Sequence, residues 1–126
     1  MKHALLLLAP LALSACVTYG PPPDPADPIA TTRLGEAVRV DGLRVVPLEV
    51  LEDSRCPIDV QCIQAGTVRI NARIRFDGMA EVREMTLGRA IRVGGRDLLL
   101  VQVRPERRAD RGIAPGEYRF TFEITR

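Results

Sequence analysis

The chain holds one histidine, His3, one lysine, Lys2, and no tryptophan, and Ser54 is its only serine after residue 14. From residue 16 onward it therefore has neither an imidazole nor an amine side chain. That excludes Ser-His-Asp and Cys-His catalysis, lysine Schiff bases, Walker-type phosphate-binding lysines and histidine-containing metal sites. Charge of one sign is also lacking, with 18 basic against 16 acidic residues, a net of +2 that falls to +1 without Lys2. Binding to nucleic acid driven by net charge has no support, and no nucleic-acid partner is expected. The apolar run from Ala4 to Leu13 is about half the length that a membrane-spanning helix requires, roughly 20 residues.

What is present at the start is a charged tripeptide, Met1-Lys2-His3, then that apolar run, then the small pair Ser14-Ala15. This is the pattern of a removable secretory signal over residues 1–15. The boundary Leu13-Ser14-Ala15-Cys16 resembles, at all four positions, the lipobox of bacterial lipoproteins. The resemblance covers only the leader. It implies that Cys16 becomes the first mature residue and carries a thioether-linked diacylglycerol and an amide-linked acyl chain. Two or more acyl chains hold a protein stably to a membrane, since each buried methylene contributes about 0.8 kcal/mol. The expected location is the bacterial cell envelope, tethered to membrane through the N-terminal lipid. Val17, where some sorting patterns have Asp, resembles the outer-membrane signal of enteric bacteria, so the domain would face the periplasm from the outer membrane.

Residues 16–33 follow as lipidated terminus and linker, with Pro21, Pro22, Pro23, Pro25 and Pro28 close together. Prolines at this density remove amide donors and favour polyproline II, so the segment reads as a spacer. A proline-rich recognition peptide would carry flanking basic residues, and none flanks this run.

The remaining 34–126, about 93 residues, suffices for one domain and excludes a second. Its dominant signal is period two, which argues strands. Val68, Ile70, Ala72, Ile74 and Phe76 alternate with Thr67, Arg69, Asn71, Arg73 and Arg75, and Tyr118, Phe120, Phe122 and Ile124 alternate with charged and hydroxyl residues. Asp77-Gly78 and Gly94-Gly95 read as hairpin turns. After Asp77-Gly78 two registers are open. A strict two-residue turn puts Glu81 and Arg83 on the apolar face, whereas a bulged loop puts Ala80 and Val82 there. A phase slip near Pro47 predicts a bulge, since proline withholds a ladder donor. These signals predict an all-β fold: an antiparallel β-sandwich of about seven strands, immunoglobulin-like, with one short helical turn in the loop from Cys56 to Cys62. The intersheet disulfide and buried tryptophan of antibody domains are absent, so the immunoglobulin assignment rests on strand count.

With Cys16 given to lipid, Cys56 and Cys62 remain as a pair in an oxidising compartment. A bridge between them would close a seven-residue loop and contribute roughly 2.4 kcal/mol. A redox pair has its cysteines two residues apart in an α/β fold, unlike this one, and two thiolates alone do not complete a metal site. No metal or cofactor is expected. The carboxylates Glu49, Glu52, Asp53 and Asp59 cluster along the same stretch without the spacing of a calcium loop. Pairs such as Glu81 with Glu84, or Glu49 with Asp53, are the acid–base alternatives that an enzyme would draw on. The segment Asp53-Ser54-Arg55-Cys56-Pro57, then Cys62 and Ala65-Gly66, resembles a group of small, uncharacterised bacterial lipoproteins in which the position of Gln64 is often tryptophan. That likeness spans Glu52 to Val68 and brings no activity.

Arginine is the only basic side chain after residue 16. Arg69, Arg73 and Arg75 on one strand, and Arg107, Arg108 and Arg111 in the loop from Arg104 to Gly116, form the candidate binding surface for an envelope protein, an anionic envelope polymer or lipid headgroups. The expected function is a non-catalytic, lipid-anchored binding or structural module. The alternative is a small envelope redox protein or enzyme acting through Cys56 and Cys62.

Overall fold

A computed structural model describes Cys16 and residues 27–125. The leader 1–15 and the linker prolines Pro21, Pro22, Pro23 and Pro25 lie outside the described residues. Eight strands follow in order: β1 (Ile29–Thr32), β2 (Val38–Val40), β3 (Leu43–Asp53), β4 (Val68–Phe76), β5 (Met79–Thr86), β6 (Ala90–Val93), β7 (Arg96–Arg104) and β8 (Arg119–Thr125). They form two four-stranded antiparallel sheets, ordered β1-β8-β7-β6 and β2-β3-β4-β5. The sandwich expectation holds. Its connectivity differs from the immunoglobulin arrangement, which needs Greek-key crossovers. Here β2 to β5 and β6 to β8 each run as an uninterrupted meander, while β1 lies in the sheet opposite β2 and pairs with β8, so the chain winds around one core.

Two corners make that possible. At Leu87-Gly88 successive amides serve different sheets: Leu87 N–H donates to Val68 O (2.9 Å) and Gly88 N–H to Leu100 O (2.9 Å). The other corner lies between β1 and β2. The sandwich therefore starts earlier than composition suggests, because β1 falls within the stretch read as linker. Four residues after a proline give too little alternation to register, and Ile29–Thr32 becomes a strand through its ladder with Phe120–Glu123.

The core is built from the inward phase of both sheets, with Leu43, Val45, Ile70, Ile74, Met85, Leu98, Leu100, Phe120 and Phe122 fully buried. The slip in β3 is real, with register shifts between Pro47 and Glu49 and again between Val50 and Glu52. β2 pairs with β3 only as far as Val45, so Pro47 sits where β3 has an open side, and its carbonyl accepts from Gly35 N–H at 2.7 Å. The expected helical turn between Cys56 and Cys62 is only a hydrogen-bonded turn, Val60 N–H to Pro57 O at 3.3 Å. Asp53 and Ser54 are occupied elsewhere and do not cap it. Among the described residues the one helical element is a 3-10 turn at Pro115–Glu117.

The open register of β5 resolves to the strict two-residue turn. Phe76 pairs with Met79, Ile74 with Glu81, Ala72 with Arg83 and Ile70 with Met85, and both turn residues take positive φ, Asp77 at 48° and Gly78 at 74°. Glu81 and Arg83 thus occupy the core-side phase of an edge strand. They pair with each other at 3.3 Å, and Arg83 also reaches Arg92 O on β6 at 3.4 Å. Inward charges on an edge strand block pairing with another chain. Replacing both, Glu81→Val with Arg83→Val, is expected to leave the domain folded but self-associating, read as a concentration-dependent rise in mass by light scattering. An unchanged mass would show that these charges do not guard the edge.

Candidate functional site

The tight turns at Asp41-Gly42, Asp77-Gly78 and Gly94-Gly95 lie at one pole of the sandwich. The long β3–β4 and β7–β8 loops lie at the other. The second pole is where the structure concentrates its buried polar contacts.

Cys56 and Cys62 are joined by a disulfide, with Cα atoms 5.9 Å apart. The loop they close is braced on all sides. Asp53, at the end of β3, receives Arg55 through two parallel hydrogen bonds, from Nε to Oδ1 and from Nη2 to Oδ2, each 2.8 Å. Tyr118 Oη donates to Oδ2 of the same carboxylate at 2.8 Å, and Arg55 Nη1 donates to Val103 O at 2.8 Å. The second loop closes over the first: Arg107 Nη1 donates to Arg55 O (2.7 Å), Ile58 N–H to Arg107 O (2.9 Å) and Ala109 N–H to Asp59 Oδ1 (2.8 Å). The loop leaves toward β4 through Gly66, where a Cβ would meet Ser54 O at 1.5 Å. Only glycine fits there.

Burial pushes the Asp53 carboxyl up, but the hydrogen bonds from Arg55 and Tyr118 outweigh it and hold it below its ordinary value. Burial first, then the bond to Asp53, raises the Tyr118 phenol to about 12. The Ala109 amide lowers Asp59, and the Arg69 guanidinium lowers Glu52 while being raised itself.

Each cluster carboxylate therefore has its own partner. Glu49 accepts from Asn71 Nδ2 at 2.8 Å, Glu52 pairs with Arg69 at 2.7 Å, and Asp53 and Asp59 are engaged as described. Among the described residues no three His, Cys, Asp or Glu side chains group to hold a metal ion. The pair Glu81 and Glu84 is split between the faces of β5, Glu81 turning to Arg83 and Glu84 to Arg69. Glu49 and Asp53 are separated as well, one on Asn71 and the other on Arg55 and Tyr118.

The candidate arginines do not form one surface. Arg107, Arg108 and Arg111 sit at the loop pole, and there Arg108 faces Asp110 at 3.3 Å and Arg111 faces Glu117 at 3.5 Å. Arg69 lies on the outer face of β4 between Glu52 and Glu84. Arg73 and Arg75, toward the turn pole, have no acidic partner among the described residues. Across the ladder Arg75 stands opposite Arg44, and Arg44 opposite Arg39. Sequence reading missed Arg39 and Arg44. Their alternation with Val38, Val40, Leu43 and Val45 marks them as outward, but only the strand order brings them beside Arg75.

Neither the protein-family models, nor the curated proteins, nor the solved structures compared with this chain give a match.

Asp53→Asn leaves Arg55 without its carboxylate and is expected to cost about 2–3 kcal/mol at neutral pH, short of the full range for a buried pair. Because the Asp53 pKa is depressed on folding, its contribution is present above the unfolded value and lost as pH falls through the folded one. Denaturation curves of parent and variant should therefore converge in acid. A gap of equal size at neutral and acid pH would rule out an ionic role.

Proposed function

We propose that this chain is a lipid-anchored protein of the bacterial cell envelope whose β-sandwich acts as a non-catalytic binding or structural module. One observation carries the reading, the division of the three sulfurs. Cys56 and Cys62 are bonded to each other, and Cys16 is free and exposed, directly after Leu13-Ser14-Ala15. A bridged pair in a small domain fits an oxidising compartment, and a free cysteine at that boundary fits acylation. The module would hang from the membrane by the proline-rich segment, its turn pole nearer the tether and its bridged loop facing outward. That loop presents Ile58, Val60 and Ile63, exposed at 57%, 45% and 103%, on a braced platform. A rigid apolar tip of this kind suits a protein partner, since little ordering entropy remains to be lost on contact. Outer-membrane placement facing the periplasm follows from the residue after the cysteine.

Two measurements test the reading. Mass spectrometry of the protein from a bacterial membrane fraction is expected to find Cys16 as the N-terminus with diacylglyceryl and acyl additions, and Cys16→Ser is expected to abolish both. An unmodified N-terminus upstream of residue 16 would overturn the anchor. The bridge is expected to resist mild reductant, and Cys56→Ser with Cys62→Ser to lower stability by about 2 kcal/mol. A bridge that exchanges readily and whose loss leaves stability unchanged would favour redox chemistry at this pair.

A further inference from the structure

The outer face of the sheet β2-β3-β4-β5 is electrically two different surfaces. Toward the loop pole its charges are matched, with Arg69 held by Glu52 and Glu84 at 2.7 and 2.8 Å. Toward the turn pole Arg39, Arg44 and Arg75 stand directly opposite one another on three adjacent strands, with Arg73 two residues along β4. All four are exposed, and none has a carboxylate partner among the described residues. Like charges directly opposite across a ladder destabilise a sheet, so local stability gives no reason for this row. The three ladder-facing arginines line an open groove of about 530 Å³ together with Gly42, Phe76 and Met79. Asp77, the one carboxylate on its wall, makes no ion pair among the described residues, and Asp41 beside it lies 3.6 Å from Arg96.

The position of the groove identifies what meets it. Asp41 N–H donates to Asp27 O at 3.0 Å, so the chain arriving from Cys16 joins the sandwich at the Asp41-Gly42 turn, on the rim of the groove. The eleven residue-to-residue steps from Cys16 to Asp27 span at most about 40 Å even fully extended, which keeps the row within reach of whatever holds Cys16. Met79, 62% exposed, adds an apolar side chain to the same lip. Guanidinium groups beside an exposed thioether suit the boundary between headgroups and acyl chains better than a soluble polyanion. We infer that Arg39, Arg44, Arg73 and Arg75 form a second membrane contact that binds the phosphates of anionic lipid headgroups and lays the turn pole against the bilayer. This deepens the anchored-module reading and rests on it for placing a membrane near Cys16.

The test uses the chain from residue 16 onward carrying Cys16→Ser, which keeps every described strand and takes no lipid. Co-sedimentation with phosphatidylglycerol-containing vesicles is expected, with weaker binding as salt rises and none to pure phosphatidylcholine. Each arginine near an anionic surface contributes about fivefold in affinity, so Arg44→Gln with Arg75→Gln should weaken binding roughly 30-fold. Arg89→Gln, an exposed residue at the β5–β6 corner of the far pole, should leave it unchanged. The double variant should melt at the same temperature or higher, because it removes repulsion. Equal binding to neutral vesicles, undiminished binding by the double variant, or a lowered melting temperature would overturn the inference. Displacement from vesicles by dilute inorganic phosphate would overturn it too, in favour of a discrete free-phosphate site. Since no acyl chain is present, failure here leaves the Cys16 result standing, and an unacylated Cys16 leaves this result to be read on its own.

Discussion

Asp53 accepts three hydrogen bonds from groups that belong to different parts of the fold. Arg55 comes from the bridged loop, Tyr118 from the residue just before β8 of the other sheet, and Arg55 in turn reaches the β7 backbone at Val103. The carboxylate is 9% exposed and Arg55 15%, so these contacts act where solvent screens them weakly. The contacts of Arg107 and Asp59 brace the two long loops against each other, and the Asp53 cluster ties them to both sheets. The disulfide shortens one loop, whereas the Asp53 cluster places it against the opposite sheet.

That arrangement explains how much could be read in advance. β4 and β8 alternate without a fault, and both form as read. The bulge at Pro47 was legible because a missing amide has only a few places to go. The meander connectivity was not recoverable and the immunoglobulin one did not form, because strand count says nothing about strand order, and the order here is set by the two corners. β1 escaped notice because its four residues acquire strand character only from β8. The inward Glu81 and Arg83 contradict the apolar pattern, and the choice between two registers depended on the turn at Asp77-Gly78. Tyr118 and Asp53 are 65 residues apart, and no local pattern announces such a contact.

The arginines show the same limit at the functional level. Arg69 and Arg75 look equivalent along β4, both outward and both within a run of alternating residues. Cross-strand neighbours separate them completely: one is enclosed by two glutamates and the other faces a further arginine. A basic surface is thus a property of the sheet and not of any strand in it. Reading strands singly groups Arg69 with the free arginines and leaves Arg39 and Arg44 out.

The pairing of the first strand with the last has a practical outcome for anyone handling the protein. Ile29 lies opposite Glu123, and Ile124 N–H donates to Pro28 O at 2.8 Å. A fluorophore attached at Thr125 would therefore sit beside the incoming tether and crowd the turn pole. Labels placed near Ile63 would stand at the opposite extremity, clear of that surface.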